Sequence, residues 1–133
     1  MDTQTSTKEE TTIKKVYIAG AYSGESMEEV EKNVRRAEAA AWLYYLKGHA
    51  VFCPHVQTHS IHMRYNIDNI VTYTDWLTAD IAWLEICDVA AFIPGWEESK
   101  GAKMEYIIAN ALGKEIEIIN EIELEAVMAS ATN

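Results

Sequence analysis

The run Val89-Ala90-Ala91-Phe92-Ile93 is apolar at every position and is closed by Pro94-Gly95. A strand with one wet face alternates, whereas a strand without alternation has to be covered on both faces, as in a parallel sheet between helical layers. The neighbouring segments fit that reading. Val16-Tyr17-Ile18-Ala19, stopped by Gly20, is a second short β-rich run; Ala50-Val51-Phe52-Cys53 is a third, broken at Pro54; Ile116, Ile118 and Ile119 mark a fourth. Helical patterns lie between them. Ser26 with Glu29 forms a capping box ahead of Val30, Val34, Ala37, Ala41 and Tyr45, closed by Gly48. Thr74 caps a helix striped by Leu77, Ile81 and Leu84 and ended near Asp88. Met104, Ile107, Ile108, Ala111 and Leu112 give the buried face of the next, stopped by Gly113, and a short acidic-apolar helix follows near 121–129. Residues 55–72 show neither period. Strand and helix alternate four times, which predicts an α/β three-layer sandwich with a mostly parallel sheet of four to five strands and right-handed crossovers. Ligands of such sheets bind beyond the carboxyl ends of the strands, so the chemistry is expected in the loops after Ala19, Cys53 and Ile93.

Charge narrows the partner. With 21 Asp and Glu against 11 Lys and Arg, the net charge is −10 at pH 7, and the clustered basic surface that a nucleic-acid backbone requires is missing. A small molecule is the expected ligand. A chain of 133 residues buries enough surface for a core without disulfide or metal staples, so Cys53 and Cys87 need no structural role. No apolar stretch approaches the ~20 residues of a membrane span and no leader pattern opens the chain, which points to a cytoplasmic protein with no membrane partner. Residues 1–14 are polar and aperiodic and read as a flexible tail before a single domain over 15–133.

Several side chains are candidates for chemistry. Gly20-Ala21-Tyr22-Ser23-Gly24 offers backbone N–H groups to a phosphate or carboxylate, or is simply a tight strand-to-helix turn; it is neither a Walker A loop nor a dinucleotide fingerprint. Glu105, just off the apolar stripe of its helix, projects towards the sheet's carboxyl edge or merely complements the helix dipole. Asp80 is either a solvated helix residue or, lying between Trp76 and Trp83, in a partly apolar setting that raises a carboxyl pKa and suits an acid role. Two carboxylates at one pocket are the equipment of glycosidic chemistry, one as nucleophile and one as proton donor. His55, His59 and His62 crowd one segment, but their spacing fits no standard zinc pattern and no metal is expected. Trp42, Tyr44 and Tyr45 suit core or a subunit interface, while Tyr22 and Trp96 sit on loops from which they can stack on a base.

Together, Val16-Tyr17-Ile18-Ala19-Gly20, Asp80 with Asp88 beyond it, Pro94-Gly95-Trp96-Glu97, Ser99-x-Gly101-Ala102-x-x-Glu105 and Ala109-x-Ala111-Leu112-Gly113-Lys114 resemble the nucleoside 2-deoxyribosyltransferase superfamily over about residues 15–120. The likeness is greatest to its small bacterial and phage branch with a PGWE-x-S-x-GA-x-x-E stretch, related to nucleoside 5′-monophosphate N-glycosidases. The resemblance implies a flavodoxin-like (Rossmann-like) domain, no cofactor, and a homodimer or higher homo-oligomer with shared active sites. It implies that Glu105 attacks the anomeric carbon to form a covalent glycosyl intermediate, that Asp80 helps protonate the base and that Tyr17 orients the nucleophile. Gly20, Tyr22, Ser23, Gly24, His55, Ser99 and Gly101 would bind substrate. Ser99 stands where the monophosphate hydrolases carry a serine and the transferases an aspartate; Ala21 and Ser23 stand where the hydrolase loop carries a serine and an arginine.

The expected activity is therefore cleavage of the N-glycosidic bond of a (2′-deoxy)nucleoside or its 5′-monophosphate, with the sugar passed to another base or to water. The rival readings are a nucleotide-binding or sensing module without turnover, and an assembly protein whose Trp42-to-Leu46 face makes an oligomer.

Overall fold

The computed structural model describes residues 12–132. Four strands, β1 (Lys15–Ala19), β2 (Ala50–Phe52), β3 (Val89–Phe92) and β4 (Glu115–Ile118), form one sheet in the order β2-β1-β3-β4. Every pairing is parallel, with Tyr17 opposite Phe52 on one side and Ala90 on the other. Five helices connect and follow them: α1 (Met27–Leu46), α2 (Pro54–Arg64), α3 (Tyr73–Ile86), α4 (Lys100–Ala111) and α5 (Glu121–Ala129). The architecture is the α/β three-layer sandwich expected from the alternation, in the flavodoxin-like form that the resemblance implies.

The period of two along a strand sorts the core into halves. Val16, Ile18, Val89 and Ala91 face one layer, where Ala37, Ala40, Leu43 and Tyr44 of α1 and Leu124 of α5 cover them. Tyr17, Ala19, Ala90 and Phe92 face the other, under Leu84 of α3 and Ala109 of α4. Small residues on β3 and α1 let the layers approach closely. Gly48 and Gly113 follow α1 and α4 with φ of 92° and 73°, the left-handed conformation that lets a helix stop within one residue.

Several expectations are corrected. Pro54 does end β2, but it also opens α2 as its first residue, so the segment expected to be irregular is helical over Pro54–Arg64. The cap of α3 is Thr72, whose hydroxyl accepts from Asp75 N at 3.1 Å while the Asp75 carboxylate accepts from Thr72 N at 2.9 Å, so the helix starts ahead of Thr74. Ser26 caps α1, yet the Glu29 carboxylate accepts from Glu25 N at 2.8 Å, so only half of the expected box forms. On α4 the buried face is Ala102, Glu105 and Ala109; Met104, Ile107 and Leu112 are exposed. The 1–14 tail lies mostly outside the described residues. Lys14 is tied to the sheet through Glu115 at 2.9 Å, and its carbonyl accepts from Ala50 N. Among the described residues no helix is long and apolar enough to cross a membrane.

Candidate active site

The site is built around a glutamate that the fold buries. Glu105 is 6 % exposed and, among the described residues, is the charged side chain that joins the buried class. It sits on the inner face of α4, over β1. There the fully buried Tyr17, whose odd-numbered place in the strand turns it to the α3/α4 side, donates its phenolic proton to Glu105 Oε2 at 2.5 Å. A buried phenol requires such a partner. Asp80 approaches from the inner side of α3. Burial pushes the Glu105 carboxyl well above its usual range; the Tyr17 bond pulls it part of the way back, and the Asp80 charge pushes it up again. Burial also raises Asp80. Tyr17 is held firmly protonated by burial and by the two carboxylates. Two carboxyls that cannot both ionise cheaply hold one proton between them near neutrality.

Above this pair opens a cleft of about 530 Å³, at the carboxyl ends of β1 and β3. The loop after β1 contributes Gly20, Tyr22 and Ser23; α2 contributes His55, Thr58 and His62; α3 contributes Tyr73, Trp76 and Asp80; the start of α4 contributes Ser99, Lys100, Gly101 and Glu105. The Ser99 hydroxyl caps α4 by accepting from Ala102 N at 3.1 Å, so the helix N-terminus, with its uncompensated N–H groups, opens on the cleft. Lys100 lies 5.6 Å above the Tyr73 ring. Tyr22 stacks on His55 with centroids 5.4 Å apart, and its hydroxyl pairs with His59 Nδ1 at 2.9 Å, while His59 Nε2 reaches Glu31 at 3.0 Å. His55 is kept neutral by burial, its pKa pushed down to about 4, and its Nδ1 is buried without a partner.

Of the residues nominated from sequence, Gly20, Tyr22, Ser23, His55, Asp80, Ser99, Gly101 and Glu105 line this one cleft, and Tyr17 stands behind Glu105. Gly24 is not among the lining residues. A Cβ there would meet Glu29 Cβ at 2.5 Å, so its glycine serves the close approach of the loop to α1; at Gly20 a Cβ would stand 3.0 Å from Ile93. Trp96 packs instead on Tyr106, 4.6 Å away, and on Phe92. Thr58, His62, Tyr73, Trp76 and Lys100 were not singled out for the site from sequence. The helical spacing of Tyr73, Trp76 and Asp80 would have placed them on one face had the helix been phased from Thr72. Among the described residues no group of three or more His, Cys, Asp or Glu side chains is placed to hold a metal ion.

Residues 14–118 match the family described as Domain of unknown function (DUF4406). No curated protein matches the chain. Among solved structures the fold is similar to that of a 2-deoxyribosyltransferase from the psychrotolerant bacterium Bacillus psychrosaccharolyticus, with a TM-score of 0.52 and 19 % identity over 85 % of this chain and 81 % of that one. At that identity the likeness is one of fold.

Proposed function

The chain belongs to the DUF4406 family, and from its site we propose that it cleaves the N-glycosidic bond of a nucleoside or nucleoside 5′-monophosphate. The observation that carries the reading is the buried Tyr17–Glu105 bond with Asp80 beside it, at the floor of a cleft of nucleotide size. The fold likeness to a deoxyribosyltransferase supports the same chemistry. In the proposed reaction a Glu105 carboxylate oxygen forms a bond to the anomeric carbon as the bond to the base nitrogen breaks. The electron pair leaves with the base, and Asp80 supplies the proton that makes the base a neutral leaving group. Water or a second base, deprotonated by Asp80, then displaces Glu105 from the sugar. The phenol proton donated to Glu105 favours the charge on that carboxylate while burial opposes it, so the first step requires the proton the pair shares to pass from Glu105 to Asp80 as the substrate is bound.

The open end of α4 with Ser99 and Gly101, facing the Gly20–Ser23 loop, is suited to a 5′-phosphate. Ser99 favours the monophosphate over the free nucleoside. The working unit is proposed to be a homodimer or larger assembly with shared pockets. The test is chromatographic detection of free base from ribo- and deoxynucleosides and their 5′-monophosphates, with and without an acceptor base. Release that is lost in Glu105→Gln is expected; dependence on the acceptor separates transfer from hydrolysis. One observation favours a binding module without turnover: burial holds Glu105 towards its protonated, non-nucleophilic form. Ligand-induced thermal stabilisation with no release from any substrate selects that reading.

A further inference from the structure

We infer that Trp76 is the platform on which the base of the substrate stacks, and that this platform favours a purine; the inference rests on the glycosidic reading of the same cleft. Three observations converge. Trp76 precedes Asp80 by one helical turn on α3 and both line the cleft, so a base close enough to take a proton from Asp80 extends along the indole. Second, the indole is braced: His62, reaching across from α2, stacks on it with centroids 5.1 Å apart and planes 28° from parallel. His62 in turn rests on Tyr22 at 5.5 Å, whose hydroxyl is anchored by His59. The platform therefore stands in place before a ligand arrives, which reduces the ordering cost of stacking on it. Third, the other tryptophans are engaged elsewhere: Trp83 lies on Phe52 at 4.2 Å and Trp96 on Tyr106, while Trp42 is on the opposite side of the sheet, beside Val127.

A double-ring base overlaps a double-ring indole more fully than a single ring does, and stacking of this kind does not depend on a particular pattern of hydrogen bonds. The platform thus selects for ring area at the base end, leaving the sugar to Glu105.

The test compares Trp76→Leu, which keeps an apolar side chain without an aromatic face, with Trp76→Phe, which keeps a smaller face. Base release from purine and pyrimidine 5′-monophosphates is measured, together with equilibrium binding of each nucleotide and of ribose 5-phosphate, which has no base. For Trp76→Leu the expected result is a fall of about ten- to a hundredfold in kcat/KM for purine substrates, with little change for pyrimidine ones, and Trp76→Phe is expected in between. Equal losses for both base classes, or none, overturn the platform. If the wild-type protein releases no base from anything, the glycosidic reading fails and binding alone decides. The platform then stands if purine nucleotides bind more tightly than ribose 5-phosphate and Trp76→Leu removes the difference; it falls if that difference is absent or survives the substitution.

Discussion

Glu105 shows how the site opposes the fold at the scale of a single residue. Its carboxyl has a raised pKa in the folded chain against an ordinary 4.5. Below that ordinary value it is protonated whether folded or unfolded and costs nothing. As pH rises, the unfolded chain releases the proton first, so stability is lost from about pH 4.5 upward through the folded pKa, at up to about 1.4 kcal/mol for each pH unit in that window. Asp80, raised in the same sense, adds to the loss. Glu105→Gln removes the ionisation yet keeps an oxygen that accepts the Tyr17 proton. Its thermal midpoint is expected to match the wild type near pH 4 and to exceed it at pH 8, with a flatter profile between. Coincident profiles across that range would mean that burial does not shift Glu105. A gain in stability with a loss of base release would mark a carboxylate kept for chemistry at the expense of folding.

At the scale of elements, the sequence disclosed what the core dictates and obscured what the cleft dictates. The central strands β1 and β3 were legible because both faces of the sheet are covered there and β3 is apolar without interruption, while the edge strand β4 alternates Glu with Ile and was marked by its isoleucines alone. Helix α2 was not legible, and the cause is physical: the side chains it turns inward, His55, Thr58 and His62, meet the ligand cleft rather than the core, so it carries no apolar stripe to read. The phase of α4 was misjudged for the same reason. Its inner face holds Glu105 between Ala102 and Ala109, while Met104 and Ile107 point outward, so the apolar residues mark the wrong side. Glu105, Asp80, Tyr17 and Tyr22 were nominated, but the joining of Tyr22 to His62 and Trp76 in one aromatic wall was not, since its rings come from three elements whose meeting only the packing reveals. The glycine stops after α1 and α4 were legible because they are local. Gly113 has φ of 73° and nothing within 4 Å of a Cβ built there, so Gly113→Ala should cost backbone strain alone, about 1 kcal/mol. Denaturant unfolding is expected to register that loss with the m-value and base release unchanged; a larger cost would mean that α4 and β4 shift together.

The whole molecule carries a net charge of −10 and an apolar end on α1, where Trp42, Tyr45 and Leu46 are 54, 52 and 60 % exposed. These features oppose each other in the proposed assembly. Burying such side chains between copies is favourable by about 25 cal/mol for each Å² of apolar surface, whereas bringing two acidic chains together is unfavourable to a degree that depends on salt. At about 10 mM salt the screening length is about 30 Å, comparable with the domain itself, and at about 150 mM it is about 8 Å. Repulsion between whole protomers is therefore removed by salt, while the apolar contact is not. Light scattering across that range should show association strengthening with ionic strength, the opposite of an interface held by ion pairs. Trp42→Glu adds charge at the centre of the apolar end and is expected to leave monomers at either salt concentration. If the pockets are shared, that monomer loses base release although Trp42 lies far from the cleft. A monomeric wild type at both salts removes the assembly, and a fully active Trp42→Glu monomer shows that one chain completes its own site.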